Sequence, residues 1–259
     1  MIRRTLEAWN GSSRQRSGGV QWLVNRELIP EALGMLMIQE LSGGSGLPVH
    51  ALPGAESVTF LLSGKGDWVG DGTGWPLKAG EGVFNPPGTS RAFESGRDGN
   101  TVLLVVYGGS NDPRDAEPHA VHGGAGCGCR VSRTADQGSH SPLGEAGGFI
   151  DMGVHWLATT QTVGTRSVVV ATSTFTPGGS HQLHRHPHAD EFFLVLQGGG
   201  EHLTKDGPVR LNPGDLAYIP AGEWHGFQTD PGVTTRTVYG YLGAGSLAQA
   251  GYELLEEET

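Results

Sequence analysis

A shift of 134 residues lays this chain over itself, aligning 19–109 with 153–243 without a gap. Gly19-Val20-x-Trp22-Leu23 falls on Gly153-Val154-x-Trp156-Leu157, and His50 falls on His184. Gly44, Gly64, Gly66, Gly80 and Gly88 meet Gly178, Gly198, Gly200, Gly214 and Gly222. Leu77, Pro86, Phe93, Thr101, Tyr107 and Gly109 meet Leu211, Pro220, Phe227, Thr235, Tyr241 and Gly243. Glycine and proline set turns that other residues cannot easily adopt, so their coincidence means that the same turns recur in the same order. The two halves are one fold, duplicated.

That fold reads as all-β. Glycine, at 44 of 259 residues, far exceeds its usual share of about 7 %, and charged residues, at 17 %, fall below the usual 25 % or so. Short apolar runs such as Val168-Val169-Val170 and Phe192-Phe193-Leu194-Val195-Leu196 alternate with Gly-rich turns, the pattern of a sandwich or barrel. Residues 1–112 then form a first barrel, 113–148 a linker rich in Gly, Asp, Ser and Pro, and 149–259 a second barrel. Ser246-x-x-Gln249 has capping-box spacing and predicts a short C-terminal helix, with Leu254-Leu255 free to pack on the barrel.

The second copy carries the chemistry. Gly178-x5-His184-x-His186-x4-Glu191-x6-Gly198 is followed by Gly214-x5-Pro220-x-Gly222-x2-His225. On a strand alternate residues share a face, so His184 and His186 point the same way. Glu191 opens the next apolar strand and shares its inward face with Phe193 and Val195, while His225 lies just past the Pro220-Ala221-Gly222 turn. Three imidazoles and one carboxylate suit a divalent transition ion. The set lacks the thiolates of a structural zinc site. By the same parity Phe193 and Phe227 line an apolar pocket, with Gln182 and Thr229 as its polar substrate contacts and Tyr218 and Trp224 at its rim.

These residues match both halves of the signature of the cupin superfamily, and the repeated chain resembles a two-domain member, a bicupin. The single departure is Thr229, where the second motif commonly ends in Asn. The resemblance implies two tandem double-stranded β-helix (jelly-roll) barrels and one divalent metal per intact barrel. Fe(II) is the expected ion, with Mn, Ni, Co or Zn as alternatives.

The first copy lacks the set. Leu52 stands at His186, Ser57 at Glu191 with Glu56 one position early, and Arg91 at His225. A permanent guanidinium beside one or two weak donors cannot hold a divalent ion, so this barrel is expected to be metal-free. Its expected role is to close the edges of the second barrel; the other reading has Arg91 binding an anionic group.

Other features carry less. His186-Pro187-His188 also has the His-x-His form, but its spacing to Glu191 is shorter and it has no repeat partner, which favours His184 and His186. His181 and His202 read as surface residues. Cys127 and Cys129 lie too close for an unstrained disulfide, and with His119 and His122 they match no standard zinc module. Phosphate-loop and nucleophile-elbow motifs are missing. A formal charge of -10 argues against nucleic acid and anionic membrane surfaces as partners. No apolar run approaches the roughly 18–20 residues that span a bilayer, and Gly11-Ser12-Ser13-Arg14 stands where a signal peptide would be apolar, so a cytoplasmic monomer or homodimer is expected.

The resemblance leaves three functions. A dioxygenase-type oxidoreductase, binding a small organic substrate and dioxygen side by side, is the first expectation. A non-redox isomerase, lyase, cyclase or hydrolase using the metal as Lewis acid is the alternative. Small-molecule binding without catalysis is the third.

Overall fold

The computed structural model describes residues 1–6, 19–50, 54–70, 73–89, 91–117, 132–133, 139–141, 144 and 147–255. Among them the architecture is all-β apart from a 3-10 turn, Pro113–Ala116, and one helix, Leu247–Ala250. The repeat is structural as well as sequential. Strands Glu56–Ser63, Arg91–Ser95 and Thr101–Gly108 recur, at the same shift of 134, as Asp190–Gln197, His225–Thr229 and Thr235–Leu242. The paired glycines carry the turns. Gly64 and Gly198 have φ of 84° and 82°, and Gly80 and Gly214 have 88° and 87°, values that side-chain-bearing residues avoid.

In the first repeat a six-stranded sheet and a four-stranded sheet face one another. In the second, the corresponding two sheets are joined by one long strand, Val170–Arg185, which pairs with Thr235–Leu242 through its first part and with His225–Thr229 through its last. The edges are covered by exchange. Strand Ile2–Thr5 pairs with Asp215–Ile219 of the second repeat, Ile2 facing Tyr218. Strand Ser132–Arg133 pairs with Gly82–Asn85 of the first, Ser132 facing Phe84, the repeat partner of Tyr218. Two exposed sheet edges are thereby covered.

The interiors explain why the central strands read as continuous apolar runs rather than alternating ones. Phe193 and Val195 fill the second barrel, while Phe192 and Leu194 point the other way into a core shared by both repeats. Leu103 and Val105 likewise fill the first barrel, and Leu104 and Val106 enter the shared core. Each such side chain contributes about 1.5–3 kcal/mol on burial.

A reciprocal clamp pins this interface. The buried Asp190 carboxylate accepts from Leu33 N at 2.7 Å, Tyr218 Oη at 2.6 Å and Ala221 N at 2.9 Å. Its repeat partner is Glu56, which accepts from Arg166 N at 3.0 Å and from Ser167 N at 2.6 Å. Ser167 is in turn the repeat partner of Leu33. Glu56 therefore occupies a clamp position and not a displaced version of Glu191. Tyr218, expected at the pocket rim, belongs to the shared core.

The predicted helix is present: Ser246 Oγ accepts from Gln249 N at 3.2 Å, while the Gln249 side chain accepts from Gly245 N at 2.8 Å. Beyond it the tail forms a strand, Glu253–Leu254, paired with His184 and Arg185, and Leu255 is exposed. Cys127, Cys129, His119, His122 and Leu52 lie outside the described residues, as do the side chains of His50 and Arg91. No described helix is long and apolar enough to cross a membrane.

Candidate metal centre

His184, His186, Glu191 and His225 come together as the sequence pattern requires. All four are buried, and one ligand atom from each lies within 4.8 Å of every other. Three chain segments supply them: the long strand carries His184 one residue before its end, the turn after it carries His186, Glu191 is second on the next strand, and a third strand begins at His225.

Backbone carbonyls fix the rings. His184 Nδ1 donates to Gln182 O at 2.8 Å, His186 Nδ1 to Gly251 O at 2.6 Å, and His225 Nδ1 to Glu223 O at 2.9 Å. Each ring thereby turns its Nε2 toward the centre, the arrangement in which an outer partner orients a ligating histidine. Glu191 Oε2 lies 3.0 Å from His225 Nε2. It lies 3.1 Å from His186 Nε2, without hydrogen-bond alignment. The Nε2 atoms of both His184 and His186 are buried with no hydrogen-bond partner. Orphaned buried acceptors are costly. Two of them converging on one carboxylate oxygen fit a divalent cation.

The electrostatics favour the same species. Burial alone would raise the Glu191 carboxyl, but His225 and His186 outweigh it and hold it well below the usual carboxylate range. Burial drives His184 well below its ordinary value, and the neighbouring imidazoles add to the effect. Burial alone would lower His225 too, but the Glu191 carboxylate outweighs it and raises that ring. The centre therefore sets an anionic Glu191 against His225 and keeps His184 neutral; a bound cation would take the place of the His225 proton.

Residues 171–236 match the cupin domain family. Oxalate decarboxylase from Bacillus subtilis superposes with a TM-score of 0.70 at 15 % identity, over 98 % of this chain and 79 % of its own. A further structure of that protein, with the same figures, is described by its Mn(II) centres. Oxalate decarboxylase from Lactobacillus farciminis, solved as a formate complex, superposes at 0.71 and 13 % identity, over 98 % of this chain and 88 % of its own. The chain has the two-barrel fold of these structures, and its second barrel matches the cupin domain family. No curated protein sequence matches it.

The cupin barrel places the remaining expected residues unevenly. Phe193 and Phe227 are interior, their rings 4.9 Å apart, and Phe175 packs on both. Gln182 is exposed instead, and His181 has taken the inward place. A β-bulge is the reason: His181 faces Phe227 and His184 faces His225, so one extra residue lies on the long strand and parity flips. Gly226 accommodates the bulge, since a Cβ there would sit 2.6 Å from His181 O. Thr229 also departs from its expected role. Its hydroxyl bonds Gly199 O at 3.2 Å and also pairs with Thr235 Oγ1. The repeat partners Ser95 and Thr101 make the same contact at 2.9 Å in the other barrel, so the pair belongs to the fold. Trp224 is half-buried beneath Arg185 and Lys205. His188 is exposed and outside the ligand cluster.

Three residues that sequence reading passed over surround this cupin centre. His181 is not at the surface: its ring stacks on His184 with centroids 3.7 Å apart, and its Nε2 lies 3.1 Å from Tyr252 Oη. Burial pushes its pKa down to about 3. His202 is fully buried with both ring nitrogens unpartnered, parallel to His225, and burial pushes it to about 3 as well. Tyr252 comes from the tail, donating to Gly147 O at 2.5 Å. Beside them lies a small cavity of about 20 Å³ walled by Trp156, Phe175, Phe193 and Tyr241, with Glu191 and His181 at its polar end. It has space for about one water.

Proposed function

We propose that the second barrel is a metal-dependent enzyme centre that acts by non-redox chemistry on a small organic molecule bearing a pair of oxygen donors. The observation that carries this reading is the convergence of the orphaned Nε2 atoms of His184 and His186 on the Glu191 carboxylate. His184, His186, Glu191 and His225 would hold one divalent ion, which when bound supplies Lewis-acid polarisation of a substrate oxygen. The aromatic walls Phe175, Phe193 and Trp156 exclude water and hold an apolar frame against the centre. His181 is neutral at physiological pH and its Nε2 donates to the Tyr252 hydroxyl oxygen, which fixes its ring at the cavity's polar end. The likeness to oxalate decarboxylases, one of them described by its Mn(II) centres, supports the lyase, isomerase, cyclase or hydrolase reading over the dioxygenase first expected.

The experiment is turnover of Mn(II)-loaded and Fe(II)-loaded protein with a panel of enols, diketones, catechols and short dicarboxylates, in air and under strict anaerobiosis. Product formation without dioxygen is the expected result. Turnover that stops without dioxygen and consumes it stoichiometrically in air would return the reading to a dioxygenase. Saturable binding with no turnover under either condition would leave a binding protein.

A further inference from the structure

The first barrel has a cavity at the same place as the second, built from repeat-equivalent positions. Trp22 and Tyr107 stand where Trp156 and Tyr241 stand, and Leu47 takes the inward bulge position of His181. The bulge is itself repeated, with Leu47 facing Phe93 and His50 facing Arg91. Even the cover is equivalent: Pro113 of the 3-10 turn matches Leu247 of the helix. Only the filling differs. Thr59 replaces Phe193 and Val105 replaces Tyr239, and the space grows from about 20 Å³ to about 350 Å³.

We propose that this cavity is a second small-molecule site, for a neutral, mainly apolar ligand about the size of a substituted aromatic ring. The volume lies at the low end of the roughly 300–1,000 Å³ of ligand pockets. The wall is apolar through Trp22, Met37, Leu47 and Val105, and Gln39 and Thr59 add an amide and a hydroxyl that can orient one polar group. Among the described residues no lysine or arginine lines it, and Glu117 stands beside it, which disfavours an anion. The space opens to the surface beside Val20 and Glu117, so a small molecule can reach it. In the second barrel the same frame is narrowed by Phe193 and Tyr239. The site is independent of the metal centre and of the activity proposed for it.

The test is titration of the full chain with 4-fluorophenol, a neutral probe at pH 7, followed by fluorine NMR. One saturable site is expected, weakened more than tenfold by Thr59→Phe and by Val105→Tyr and unchanged by His186→Ala, which disables the metal centre. Binding lost in His186→Ala but kept in both filling variants would overturn the proposal, as would no saturable binding. Should the filling variants fail to fold, crystals of the unaltered chain soaked in 4-bromophenol decide by anomalous scattering. A bromine peak between Trp22 and Thr59 supports the site, and the lack of one there overturns it.

Discussion

The two barrels share turns, strand register, a bulge and an interface clamp, yet differ in sequence at the positions that form the second barrel's centre. His181, His186, Glu191, His202 and His225 of the second correspond to Leu47, Leu52, Ser57, Trp68 and Arg91 of the first. In the first barrel Trp68 is fully buried and stacks on Trp75 at 5.0 Å, an apolar solution to the volume that His202 occupies in the second. The fold is therefore set by one group of residues and the chemistry by another. Turn glycines, the Ser95–Thr101 and Thr229–Thr235 pairs and the Glu56 and Asp190 clamps recur in both copies. Imidazole and carboxylate at the centre do not.

The largest expected effect comes from removing that difference. His186→Ala deletes a metal donor, so the loss of affinity should exceed the roughly 10–100-fold typical of changes behind the ligands. His188→Ala, with its ring outside the cluster, should leave metal content close to one ion per chain. Plasma-mass-spectrometric metal analysis of the two variants, purified alike, checks this; equal loss in both would mean that the ligand set is misassigned.

Next comes the shared feature. Asp190→Ala leaves Leu33 N, Ala221 N and the Tyr218 hydroxyl without their acceptor and should cost about 3 kcal/mol in denaturant unfolding. Glu56→Ala removes the equivalent acceptor for Arg166 N and Ser167 N and should cost a similar amount. A large loss from one and none from the other would break the symmetry of the clamp.

Much of this was legible in the sequence, and the limits have physical causes. The duplication showed because turn geometry constrains glycine and proline residue by residue. The convergence of His184, His186, Glu191 and His225 showed because a strand places alternate side chains on one face and His184-x-His186 uses that spacing. Gln182 was misplaced because parity holds only for an unbroken ladder, and one inserted residue between His181 and His184 reverses it. The paired occurrence of that bulge, at Leu47 and His50, becomes visible only once the strands are registered. Glu56 looked like a displaced ligand because its true partners, Arg166 and Ser167, lie in the other repeat. His202 and Tyr252 gave no pattern: one is a lone histidine with no hydrogen-bond partner, the other comes from a tail outside the repeat.

Smaller effects sharpen the contrast at His202. Its folded pKa of about 3 lies below the ordinary 6.5, so between those values the unfolded chain binds more protons. Stability of the metal-free protein is therefore retained above about pH 6.5 and lost progressively as pH falls toward 3. His202→Phe should raise the metal-free melting point at pH 7, by about 1 kcal/mol in stability, and flatten the fall between pH 7 and pH 5. An unchanged pH slope in this variant would mean that the ring is not held neutral by burial. Tyr252→Phe, which gives up the contacts to His181 and Gly147, should cost at most about 1 kcal/mol in the same melts. A larger loss would place the tail among the elements that hold the barrel together.

The most direct test of the central contrast is anomalous scattering from a crystal of the full chain grown with Mn(II), with data collected on both sides of the manganese edge. One peak bounded by His184, His186, Glu191 and His225, and none within the first barrel, is the result expected. A first-barrel peak of equal height, or no peak at the four residues, would contradict it.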